Sequence, residues 1–151
     1  VISGPRTGSK TLDMAIPNGL PPIVPGVIGT VASVESLRPN ASISIKAGGN
    51  FNCWMETLVD CDNVIEICED GRPAVIGQKN RHYLAGWGDQ KALKRMFKEA
   101  CLSQSIPTTE MTDSVRVRET LKHRFWFNYS ETESKVGAIT LPPSGVFWEP
   151  L

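Results

Sequence analysis

The sequence predicts a mixed α/β fold with one clear helix, followed by a small antiparallel β unit. Three observations carry this. Residues 71–87, GRPAVIGQKNRHYLAGW, read as a hairpin: two short apolar runs, 73–77 and 82–87, flank the polar connection Gln78-Lys79-Asn80-Arg81. An amphipathic segment follows directly, with Asp89 as N-cap and Leu93, Met96, Phe97, Ala100 and Cys101 forming one apolar stripe over residues 89–102. Beyond residue 104 the helical period disappears, and only short alternating runs remain.

Taken in order, residues 1–3 read as the end of a strand, so the chain is expected to be part of something longer. Residues 4–10, GPRTGSK, form a Gly-containing loop with two cations. Its spacing is not G-x-x-x-x-G-K-[ST] and no helix follows at once, so a strand-to-loop turn is expected rather than a phosphate cradle. Pro17, Pro21, Pro22 and Pro25 limit residues 12–29 to brief regular structure. Residues 31–37 alternate loosely. Ile43 and Ile45 alternate with Ser42, Ser44 and Lys46, and Gly48-Gly49-Asn50 is a turn. Two further β-rich runs, 51–59 and 64–68, complete a set of strands that the helix can cover.

Residues 105–114 are polar, contain Pro107, and read as a linker between units spanning 1–104 and 115–151. In the second unit Val115 and Val117 alternate with Arg116 and Arg118. Phe125, Phe127 and Tyr129 alternate with Arg124, Trp126 and Asn128, and runs at 136–141 and 146–148 supply two more strands. A unit this small buries little on its own and is expected to dock on a neighbour.

Composition excludes some classes. The 151 residues are 40% hydrophobic and 21% charged, with 16 Lys and Arg against 16 Asp and Glu, so no overall field draws the chain to nucleic acid or an anionic membrane surface. No basic-then-apolar leader and no apolar stretch near the length of a membrane span is present, and neither partner is expected. Cys53, Cys61, Cys68 and Cys101 include no C-x-x-C pair and no His at ligand spacing. No metal and no cofactor is expected. Reduced, buried thiols favour a cytoplasmic location. The sequons at Asn40 and Asn128 matter only in a secreted chain.

No catalytic residue emerges. His82 and His123 sit in strand-like runs beside arginines, without a nucleophile-elbow context. Glu35, Glu56, Asp60, Asp62, Glu66, Glu69 and Asp70 read as turn and strand-edge carboxylates rather than a glycosidase pair. Trp54, Trp87, Trp126 and Trp148 are candidates for core, for an interface or for a sugar-stacking platform.

The order of short motifs carries more. VISGPRTGSK, a loop with LPP, VESLRP, then EDGRPAVIGQKNRHYLAGWGD and a helix resemble the later half of the trimerisation domain of glycoside hydrolase family 42 β-galactosidases. HRFWFNYS at 123–130 and LPPSGVFW at 141–148 resemble the C-terminal β domain of the same enzymes. The resemblance implies part of a flavodoxin-like or amidotransferase-like α/β domain followed by that β domain, in a bacterial-type enzyme of carbohydrate metabolism. Catalytic Glu residues of the family lie on a (β/α)8 barrel, so none is inherited here. What it implies is a non-catalytic portion that assembles a homo-oligomer, a trimer in that family, and scaffolds a parent catalytic barrel. Contacts are then expected at Trp87, at Asp89 with the start of the helix, and at Trp126 and Trp148. The β domain is shorter than the family's usual one. Two other classes stay open: a free-standing carbohydrate-binding or protein-interaction module, and a small amidotransferase-like enzyme, which needs a nucleophile that the turn Gly86-Trp87-Gly88-Asp89 lacks.

Overall fold

A computed structural model describes residues 1–5 and 26–151. The chain divides into two units, Val1–Pro107 and Thr108–Leu151.

In the first unit the strands are β1 (Ile2–Ser3), β2 (Thr30–Ser36), β3 (Ser42–Ser44), β4 (Asn50–Val59), β5 (Val64–Ile67), β6 (Pro73–Gln78), β7 (Arg81–Leu84) and β8 (Gly86–Gly88), followed by helix α1 (Gln90–Leu102). One sheet has the order β1-β7-β6-β5; in a second, β4 pairs with β2, β3 and β8. Every pairing is antiparallel except β1 with β7. The fold is therefore mostly β with several antiparallel sheets, and a single helix among the described residues. The expected mixed sheet is reduced to that one parallel pair.

The hairpin forms, with two differences from the sequence reading. Gln78 pairs with Arg81, so the connection is the two residues Lys79-Asn80, and Lys79 takes the left-handed φ of 47° that such tight turns require. The second strand is also not continuous through Trp87. Ala85 N donates to Ala74 O and Ala85 O accepts from Glu56 N, so the chain leaves one sheet at Leu84 and enters the other at Gly86. That crossing ties the sheets together over one core of Phe51, Met55, Ile76, Tyr83 and Ala85.

Helix α1 begins as predicted. Asp89 Oδ1 accepts from Ala92 N at 2.7 Å, while its Oδ2 accepts from Asn50 N at 3.0 Å and Asn50 Nδ2 at 2.9 Å. The buried face differs: Ala92 and Met96 are buried and Leu93 packs partly, but Phe97 is 54% exposed. The cause is close approach at Gly49, whose φ of 87° and proximity to Ala92, 2.6 Å from an added Cβ, require the smallest residues there. The helix is thereby turned onto Ala92. Burying Met96 contributes roughly 2 kcal/mol, and Arg95 adds a clamp to β5 through Glu66 at 2.7 and 2.8 Å.

The second unit holds β9 (Val115–Glu119), β10 (His123–Asn128), β11 (Ser134–Val136), β12 (Ile139–Leu141) and β13 (Val146–Pro150). These form an antiparallel sheet β13-β10-β9 and a hairpin β11-β12. The run 136–141, expected as one strand, is broken by a turn at Gly137, φ 58°. Val115, Trp126 and Leu141 form the core, with Met111, Val117, Val136 and Ile139 against it. The loop at 4–10 and the Pro-rich 12–29 stretch lie mostly outside the described residues.

Candidate interaction surfaces

Of the four residues expected at an interface, two are exposed. Trp87 sits on β8 opposite Asn52 of β4 and is 50% exposed, because Gly86 is pressed against Phe51 and the next side chain points away from the core. Trp148 on β13 is 58% exposed. Asp89 is occupied as the helix cap. Burial raises its carboxyl pKa, but the hydrogen bonds from Ala92 and Asn50 outweigh that and hold it below the usual carboxylate range. Trp126, expected on a surface, is only 8% exposed and belongs to the core of the second unit. The period of two in β10 explains this: Trp126 and Asn128 point inward while Phe125, Phe127 and Tyr129 point to the other face.

Four of the seven candidate carboxylates, Glu35, Glu56, Glu66 and Asp70, are arranged as structural partners. Glu35 and Asp70 both meet Arg72, and Glu66 meets Arg95. Glu56, 3% exposed, accepts from Tyr83 Oη at 2.6 Å and from Trp54 Nε1 at 3.4 Å. Burial first, then the hydrogen bond and charge of Glu56, push the Tyr83 hydroxyl pKa well above its ordinary value. This buried pair was missed in the sequence. Alternation could have placed Glu56 inward, but nothing local marked its partner.

Cys61 and Cys68 are poor nucleophiles. Burial, with Asp70 adding and Arg72 opposing, pushes Cys68 up to about 11, and burial with Asp60 and Asp62 raises Cys61. All four cysteines are free. His82 Nε2 lies 3.1 Å from Lys79 O, inside its own turn. Among the described residues no group of three His, Cys, Asp or Glu side chains gathers to hold a metal ion, and no helix is long and apolar enough to cross a membrane.

Asn128 organises the polar interior of the second unit. Its Nδ2 donates to Thr132 O at 2.8 Å and Pro142 O at 2.9 Å, and its Oδ1 accepts from Ser130 N at 3.0 Å and Ser134 Oγ at 3.1 Å. A buried and fully engaged amide cannot carry a glycan, so this sequon is a structural Asn.

No model of a known protein family matches the chain. In sequence it is similar to a β-galactosidase of Thermus thermophilus, 28% identical over 137 residues, which is 85% of this chain and 21% of that protein. In structure it is similar to the β-galactosidase of the psychrophilic Marinomonas ef1, with a TM-score of 0.84 at 26% identity over 97% of this chain and 24% of the other. The enzyme of Halorubrum lacusprofundi shares the fold at a TM-score of 0.83 and 22% identity, over 99% of this chain and 27% of its own. A family 42 β-galactosidase from G. stearothermophilus shares it at 0.68 and 16% identity, over 90% and 25%. The chain thus spans about a quarter of the length of the proteins it matches. In sequence and in fold it resembles a C-terminal part of the glycoside hydrolase family 42 β-galactosidases.

Proposed function

We propose that this chain is a non-catalytic portion of a β-galactosidase-like glycoside hydrolase, serving oligomer assembly and the scaffolding of a catalytic barrel. The observation that carries the reading is one of coverage: 97% of the chain superposes on 24% of a β-galactosidase. The arginine-bound carboxylates and the raised thiols of Cys61 and Cys68 agree with a structural role. In this reading the first unit is the later part of a flavodoxin-like or amidotransferase-like trimerisation domain. Its parallel β1–β7 pair is the support for that assignment, and the second unit is the C-terminal β domain. The free thiols support a cytoplasmic setting.

Trp87 and Phe97 are the contact residues in this reading, as large apolar side chains half exposed on the first unit. Sedimentation of the purified chain tests it. The expected result is a concentration-dependent trimer that Trp87→Asp and Phe97→Asp convert to monomer without altering the circular dichroism spectrum. A monomer at every concentration overturns the assembly role, and turnover of a chromogenic β-galactoside by the chain alone overturns the non-catalytic one.

A further inference from the structure

The second unit carries a file of half-buried to exposed rings on the face of its sheet opposite Trp126. His123, Phe125, Phe127 and Tyr129 follow one another on the outer face of β10 and its extension. Phe125 and Phe127 have centroids 6.4 Å apart and planes 24° apart; Phe127 and Tyr129 are at 6.3 Å and 21°. Register places Trp148 opposite Phe125 on one side, and its ring meets His123 edge-on at 5.1 Å. On the other side β9 places Arg118 opposite Phe125 and Arg116 opposite Phe127. Tyr129 at the end of the file is 70% exposed. Beside it Asp113, Arg116, Val117, Arg118 and Tyr129 line an open cleft of about 600 Å³.

We propose that this face binds a saccharide, laid along the rings with its hydroxyls toward Arg116, Arg118 and Asp113. The chemistry singles out such a ligand. The exposed rings of Tyr129 and Trp148, with the part-buried edges of Phe125 and Phe127 beside them, offer electron-rich surface to the polarised C–H groups on one side of a pyranose. The guanidiniums add planar forks of donors beside them. Arg116 Nη1 is anchored on Asp113 O at 2.7 Å and Val115 O at 2.8 Å, which fixes the fork's direction before any ligand arrives.

Charge argues against a polyanion such as a single nucleic-acid strand. The unit sets Arg116, Arg118, Lys122, Arg124 and Lys135 against Glu110, Asp113, Glu119, Glu131, Glu133 and Glu149, and so supplies no basic field. An apolar protein segment fits poorly too, since it would bury the bordering charges without partners. This inference stands independently of the assembly reading.

Titration of the whole chain with galactose, lactose and a β-linked galacto-oligosaccharide, followed by tryptophan fluorescence and calorimetry, tests it. Saturable binding with a Kd on the order of millimolar is expected, tightening with ligand length as more rings are covered. Tyr129→Ala and Arg118→Ala each weaken it by about tenfold or more, with the melting temperature held within about 2 °C because both side chains are exposed. Trp87→Ala in the first unit leaves it unchanged. No saturable signal with any of these sugars up to about 50 mM overturns the proposal. So does binding indifferent to both substitutions in the second unit, or self-association that Tyr129→Ala abolishes, which marks the file as a protein contact.

Discussion

Replacing Asp89 by Ala separates a structural role for this residue from one at an interface. The carboxylate does two jobs with two oxygens: Oδ1 caps the helix at Ala92 N, and Oδ2 holds the backbone and side-chain amides of Asn50 at the start of β4. Loss of the cap costs about 1 kcal/mol. Leaving the part-buried Asn50 N–H without its acceptor costs about 1–2 kcal/mol more, so Asp89→Ala is expected to cost roughly 2–3 kcal/mol in all. Asp89→Asn is the sharper variant. Its one oxygen can still cap the helix, but its NH2 then faces the donors of Asn50, so about half of the loss remains. Urea unfolding at neutral pH, followed at 222 nm, measures both. Because the folded carboxyl titrates below the unfolded value near 4, its stabilisation is present above that pH and fades as pH falls through the folded value. The gap between wild type and Asp89→Asn should therefore close in acid. A cost for Asp89→Ala below about 1 kcal/mol, or an Asn variant as stable as wild type, would refute the argument. Loss of oligomer with unchanged unfolding would instead make Asp89 a contact residue.

The same approach extends to the two polar interiors and to the hairpin. Tyr83→Phe removes the donor to buried Glu56 and is expected to cost about 2 kcal/mol. Since burial raises the Tyr83 hydroxyl pKa, wild-type stability is fully present below the unfolded value near 10 and falls as pH rises beyond it. Denaturant midpoints between neutrality and pH 11 should show that decline in wild type and a shallower one in Tyr83→Phe. Asn128→Ala strands the carbonyls of Thr132 and Pro142 and the N–H of Ser130, and is expected to destabilise the second unit by about 3 kcal/mol. Calorimetry would show a lowered transition, and an unchanged one would mean that water replaces the amide. Gly77→Ala places a Cβ 2.0 Å from Arg81 O at a φ of 147°, so a loss of more than about 2 kcal/mol is expected, visible as a collapsed urea midpoint.

Local signals were legible where a single element carried them. Asp89 announced a helix start because capping needs one short oxygen-bearing side chain just before an apolar period, and both lie within a few residues. The hairpin was legible for the same reason. What escaped was set by contacts distant in sequence. Neither the break at Ala85 nor the tilt of α1 onto Ala92 follows from local spacing: the first depends on Ala74 and Glu56, the second on the backbone of Gly49. A stripe read from the helix alone fixes the apolar side only to within about one residue's rotation. That margin put Phe97 inside on paper and outside in the structure.

The surfaces show the same division at the level of side chains. Alternation in residues 123–129 identified a strand but did not say which of its two apolar faces is the core, since Trp126 competes with Phe125, Phe127 and Tyr129. The decision is made by Asn128. Its amide is satisfied inside the unit, where the carbonyls of Thr132 and Pro142 converge, and a strand's period carries Trp126 inward with it. A single amide thus selects the buried face, and the aromatic majority falls on the other one. The rings set on the opposite face by the needs of one amide end in the exposed Tyr129, and that end of the file is open to a ligand.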